Sequence, residues 1–182
     1  MGRARSAVAA RTSLKALREA FNHAFSVEEA QEESHDDFFD AVQYCRSHSG
    51  EFSGSEGSEG WYFWQVGEWA VAGDVSLGLC KNKEALRTVS ETLGEIVICG
   101  IDTMFEYAHF AVYDAGKNRR LLILEDDEIV DEGFPLQAER GQHVDDFQEE
   151  DAERLWVSYG LPTFEYDPDT GPFICVNVKA IE

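Results

Sequence analysis

Two stretches of this chain read as antiparallel hairpins, and nothing else in it constrains the fold as strongly. Residues 61–66 (WYFWQV) and 69–72 (WAVA) are strand-like and separated only by Gly67-Glu68. Residues 104–113 and 119–125 (RRLLILE) repeat the arrangement around the turn Asp114-Ala115-Gly116-Lys117. Strand signals joined by such short turns belong to hairpins, because parallel neighbours need a long crossover. Residues 95–101 (EIVICGI) read as a buried strand, 75–80 as a further strand, and 173–178 (FICVNV) as the last, with Ile174, Val176 and Val178 on one side. A helix is predicted over 83–93, capped by Asn82, presenting Leu86, Val89 and Leu93 on one face and stopped by Gly94. Another fits 147–159, where Phe147, Leu155, Trp156 and Tyr159 share a face. The expected fold is α+β: an antiparallel β-sheet with one or two helices packed on one face, preceded by an N-terminal helical segment.

That segment differs in composition from the rest. Arg3, Arg5, Arg11, Lys15 and Arg18 are opposed only by Glu19 in the first 22 residues. The Ala, Ser and Arg content is like that of an organelle transit peptide, whereas the continuous apolar core of a secretory signal is missing. Leu14, Leu17, Phe21 and Phe25 recur at helical spacing, so a helix is expected here, with disorder before about residue 10. Residues 26–49 read as a second helix, with Ser34 and Asp37 as a shortened capping box. Phe38, Phe39, Val42 and Cys45 line one face of it, and Glu28, Glu29, Glu32, Glu33, Asp36, Asp37 and Asp40 the other. Residues 50–60 (GEFSGSEGSEG) have the composition of a flexible linker or exposed loop. The expected organisation is a helical segment over 1–49, a linker over 50–60 and an α+β domain over 61–182.

Composition excludes several classes. The 182 residues are 43% hydrophobic and 12% aromatic, which rules out a wholly disordered chain. Against 36 Asp+Glu there are 15 Lys+Arg, a net charge of −21, so direct binding to nucleic acid is disfavoured by phosphate repulsion. No apolar run is long enough to span a bilayer. Cys45, Cys80, Cys99 and Cys175 form no C-x-x-C pair and match no zinc module. Two disulfides could be drawn from four cysteines, but Cys80, Cys99 and Cys175 lie in apolar, strand-like stretches where a thiol packs as a small hydrophobe. Buried free thiols are therefore expected, and with them a reducing, cytoplasmic setting.

No catalytic signature stands out. G-x-S-x-G, H-E-x-x-H, the P-loop and the dinucleotide glycine fingerprint are all missing, so no cofactor is implied. Glu125, Asp126, Asp127 and Glu128, followed by Asp131 and Glu132, could hold a hard cation, but they lack the order of a calcium loop and read first as a solvated acidic loop. His109 should share a strand face with Tyr107, with Glu106 opposite and Asp102 upstream, which permits general-base work without supplying a nucleophile. The dense aromatics Trp61, Tyr62, Phe63, Trp64 and Trp69 read as core on one face, with the other able to serve as a contact surface.

The acidic field is the most informative feature. Between Glu125 and Glu153 there are 13 acidic residues and one base, Arg140. Such density self-repels, and it also steers a cationic partner and fixes its orientation. The residues assigned to partner binding on this basis are Glu125, Asp126, Asp127, Glu128, Asp131, Asp145, Asp146, Glu149 and Glu150.

From about Trp61 to Gly160 the chain resembles an uncharacterised family of small bacterial domains. The resemblance rests on WQVGEWAVAGD, EALRTVSETLGEIV, FEYAHFAVYDAGKNRR and the element Gly133-Phe134-Pro135-Leu136-Gln137-Ala138-Glu139. Members of such families are often encoded beside polymorphic toxins, and some are similar to immunity proteins. The resemblance implies no catalytic residues, and the first 60 residues lie outside it. The expected function is that of an acidic intracellular binding protein, an immunity protein that occludes a basic toxin. The alternatives are a small enzyme with a His109/carboxylate cleft and a nucleic-acid mimic that inhibits a DNA-binding protein.

Overall fold

The hairpins form where the turns place them. In the computed structural model, which describes residues 4–50, 57–164 and 171–180, Gly67-Glu68 joins β3 (Ser58–Val66) to β4 (Trp69–Asp74). Ala115-Gly116, both at positive φ, joins β6 (Tyr107–Asp114) to β7 (Lys117–Glu125). The remaining strands are β1 (Ala4–Ala10), β2 (Val27–His35), β5 (Ile96–Asp102), β8 (Glu128–Gly133) and β9 (Phe173–Ala180). Among the described residues they make one nine-stranded sheet in the order β2-β9-β3-β4-β1-β5-β6-β7-β8, and every neighbouring pair is antiparallel.

The helices are α1 (Leu14–Ala24), α2 (Phe38–His48), α3 (Gly78–Lys81), α4 (Lys83–Leu93) and α5 (Glu149–Val157). They cover both faces of the sheet, not one. Phe38, Ala41 and Cys45 of α2 and Leu155 and Trp156 of α5 pack over Ala7, Tyr62, Trp64, Val97 and Phe110. Leu17 and Phe21 of α1 and Leu86 and Val89 of α4 pack over Val8, Phe63, Ala70, Ile98 and Ala111 on the opposite side. Strands β4 and β5 are buried along their whole length because both of their faces are covered. This is α+β architecture with the sheet as the middle of three layers. Among the described residues no helix is long and apolar enough to cross a membrane.

Several local expectations need correction. Of the segment before residue 10, residues 1–3 lie outside the described residues and the rest is not disordered: β1 lies in the middle of the sheet, hydrogen-bonded between β4 and β5. Its alanines let the layers above and below come close, and they carry too little hydrophobic contrast to show a period. Residues 26–49 are not one helix. They divide into edge strand β2 and α2, and Asp37 is the N-cap, accepting from the Phe39 and Asp40 amides at 2.8 and 3.3 Å. The N-terminal region therefore supplies strands as well as helices. Residues 75–80 turn into α3 instead of forming a strand. The acidic stretch after Glu125, expected as a loop, runs straight into β8. Ser58–Val66 form β3, so that strand begins inside the expected linker, whose residues 51–56 lie outside the described residues. Helix 83–93 keeps its expected limits, with Asn82 Oδ1 accepting from the Ala85 amide at 3.0 Å and Gly94 ending it. All four cysteines are buried free thiols.

Close packing across the sheet makes one glycine indispensable. Gly73 stands opposite Tyr62 in the β3–β4 ladder, and a methyl group there would sit 2.4 Å from the tyrosine ring. That ring is held by Trp64, stacked at 5.5 Å, and by Phe38, edge-on at 5.4 Å, so it has no room to yield. Gly73→Ala is expected to destabilise the fold by about 1–3 kcal/mol. Urea denaturation measures this, and a change within experimental error would show that the ring can move aside.

Candidate functional site

The period of two sets Tyr107 and His109 on the α4 side of β6, as expected from sequence, and the neighbouring strands extend the same row. His109 pairs with Ile123 on β7, which pairs with Val130 on β8. One step toward the strand ends lie Tyr107, then Glu125 paired with Glu128. This corner of the sheet is open. Lys81 at the end of α3 and Lys83 at the start of α4 form its wall, and the result is a groove of about 500 Å³ that Asp126 also lines.

His109 is 1% exposed. Its Nδ1 lies 3.0 Å from the Tyr107 hydroxyl, which in turn lies 3.7 Å from Cys80 Sγ. The Cys80 thiol donates to the Leu77 carbonyl at 3.3 Å, and the Tyr107 hydroxyl bridges Cys80 Sγ and His109 Nδ1. Nε2 has no hydrogen-bond partner. Burial, reinforced by the charges of Lys83 and Lys81, pushes the His109 pKa down to about 3. Burial likewise pushes the Cys80 thiol up to about 12 and the Tyr107 phenol far above its ordinary value. At neutral pH the cluster is therefore an uncharged imidazole, a thiol and a phenol. It offers hydrogen bonds and holds no activated nucleophile. Lys81 Nζ bonds Glu125 Oε1 at 3.0 Å and stands 4.6 Å over the Tyr107 ring.

The acids expected to bind a partner separate into groups with different duties. Asp131 pairs with the buried Arg120 of β7, and Glu125 with Lys81. Glu149 and Glu150 occupy the first turn of α5, where the helix dipole favours negative charge, and Asp145 and Asp146 belong to a 3-10 turn that runs beside β8. Asp126, Asp127 and Glu128 form the tip of the β7–β8 hairpin, all exposed and, among the described residues, without an ion pair. Asp126 and Asp127 both adopt left-handed backbone, at φ 53° and 62°. Asn-Gly is the ordinary solution for such a turn, so two adjacent acids here hold a strained conformation together with mutual repulsion.

Beside this tip stands a feature that sequence reading missed. The strand expected over 104–113 begins only at Tyr107, and residues 103–106 are the β5–β6 turn. Met104 and Phe105 on it are 67% and 76% exposed. Because Ala108 pairs with Leu124, this turn and Asp126-Asp127 project from the same end of the sheet on neighbouring hairpins. The signal was available: two large apolar residues between Asp102 and Glu106 have no reason to face water unless something else covers them.

Among the described residues no group of three or more His, Cys, Asp and Glu is arranged to hold a metal ion. Comparison with protein-family models, with curated protein sequences and with solved structures finds no match.

Proposed function

We propose that this protein captures a basic protein at the hairpin-tip end of its sheet and, like an immunity protein, neutralises a cationic toxin by occluding it. One observation carries the reading. Met104 and Phe105 stand exposed beside Asp126, Asp127 and Glu128, and that is the composition of an interface: an apolar anchor flanked by charges that orient the partner. The tip is anchored through β7, whose residues 120–123 are buried, so little ordering is required on binding. Four buried free thiols fit a reducing cytoplasm. The acids come from a hairpin tip, a 3-10 turn and a helix start, an irregular origin that suits one protein surface better than mimicry of evenly spaced phosphates.

Capture from lysate over a salt series tests this with three variants. Phe105→Ala is expected to weaken retention of the basic partner by about thirtyfold, as loss of a central anchor does. Combined Asp126→Asn, Asp127→Asn and Glu128→Gln should flatten the salt dependence, since exposed charges are screened within about 8–10 Å at physiological ionic strength. Neutralising Glu28 and Glu33 on β2, at the other edge of the sheet, should change little. Binding that responds equally to both edges would mean generic attraction to a negative protein and would sink the proposal.

A further inference from the structure

The groove beside the tip shares Asp126 and Glu128 with the proposed interface, and the groups inside it do not satisfy one another. Lys81 and Glu125 are paired. What remains on the wall is Lys83 together with His109, whose buried Nε2 has no hydrogen-bond partner among the described residues. On the opposite rim remain Asp126 and Glu128, and between the two lies an apolar floor of Ile123 and Val130. A phosphate or simple carboxylate entering here would meet three carboxylates, and a simple cation would meet two ammonium groups. A molecule with both charges meets neither obstacle.

We propose that this groove binds a small zwitterion with an apolar body, a free amino acid or a very short peptide. Its carboxylate lies against Lys83 and accepts from His109 Nε2–H, its ammonium lies against Asp126 and Glu128, and its side chain rests on Ile123 and Val130. A space of about 500 Å³ suits a ligand of that size. Lys81, already paired with Glu125 and lying over the Tyr107 ring, lines the same wall. Binding here needs no macromolecular partner, and although the rim shares Asp126 and Glu128 with the surface proposed above, Lys83 and His109 belong to the groove alone.

The test is a titration of the isolated protein followed by NMR of the His109 imidazole. The probes are L-leucine and the dipeptide Leu-Leu, which separate the two sources of the zwitterion, with leucinamide and 4-methylpentanoate each lacking one charge. At least one zwitterion is expected to shift the His109 signals saturably, and the two single-charge analogues to bind about tenfold more weakly or worse, as loss of a charge-assisted hydrogen bond implies. Lys83→Gln, an exposed position that leaves the core intact, should weaken the zwitterion about tenfold while leaving leucinamide unchanged. Glu128→Gln should do the converse, weakening the zwitterion and sparing 4-methylpentanoate. No movement of the His109 signals with either zwitterion, or equal binding by a single-charge analogue, would overturn the inference.

Discussion

Replacing Arg120 by methionine is expected to lower the free energy of unfolding by about 3–5 kcal/mol. The side chain is completely buried in β7, and its guanidinium grips Glu139 with two bonds, Nε to Oε1 at 2.8 Å and Nη2 to Oε2 at 2.6 Å. Nη1 donates to the Glu132 carbonyl at 3.0 Å and also bonds Asp131. Glu139 is itself buried, and its Oε1 accepts from the Leu136 amide at 2.9 Å. Removing the arginine leaves a carboxylate with no cation in a place water does not reach, and that stranded charge is what destabilises. The remedy follows from the same reasoning: Arg120→Met with Glu139→Met should recover most of the loss, since an apolar pair of similar volume can replace a buried ion pair. The neighbouring Arg119, exposed and paired with Asp114 at 2.9 Å, should lose less than about 1 kcal/mol as Arg119→Met. Urea denaturation of the four proteins decides the matter. A double variant as unstable as Arg120→Met would show that packing, not the stranded carboxylate, sets the effect.

The second large effect is one of pH. Asp74, at the end of β4, is fully buried. Burial raises its pKa from 3.8 to about 6, against the opposing hydrogen bonds from the Ser6 hydroxyl, the Leu79 amide at 3.1 Å and the Ser76 hydroxyl at 3.1 Å. The folded protein therefore holds this proton more tightly than the unfolded chain does. The stabilisation is fully present below pH 3.8 and is lost as pH rises through about 6. Above that the ionised carboxylate weighs against the fold by something on the order of 3 kcal/mol. Asp74→Asn, which mimics the protonated form, should gain on the wild type by about 2 kcal/mol between about pH 4 and pH 8. His109 works in the opposite sense: its pKa falls from 6.5 to about 3, so its contribution is present above pH 6.5 and is lost on acidification toward 3. The wild-type profile mixes the two, and the difference between wild type and Asp74→Asn isolates the first. A difference that stays constant with pH would mean that Asp74 is not buried as described.

The parts of this fold legible in the sequence are those where local chemistry and tertiary position agree. Gly67 and Gly116 announce their hairpins, and Asn82 and Gly94 bracket α4, because turn and cap residues act within a few positions of themselves. The strands that escaped are β1, β2 and β8. In β1 the sheet presses small residues from both faces and leaves no alternation to see. In β2 and β8 one side of each strand has no neighbour among the described residues, so burial does not impose a period, and in β2 a bulge between Glu29 and Gln31 breaks the alternation that remains. At the candidate site the pairing of Tyr107 with His109 was visible from spacing alone. That Lys81, Lys83, Glu125 and Glu128 gather around it depends on where α3 and β8 come to rest, which no local pattern encodes.

The outermost strands give the acidity a structural meaning. Exposed Glu28, Glu32 and Glu33 lie along one flank of the sheet, where Arg18 ties down Glu29 and reaches Glu32, and Glu128, Asp131 and Glu132 lie along the other. Two copies brought flank to flank would confront like with like, so an otherwise open ladder of backbone groups is kept from growing into a fibre. Edge-to-edge pairing of copies is thereby opposed.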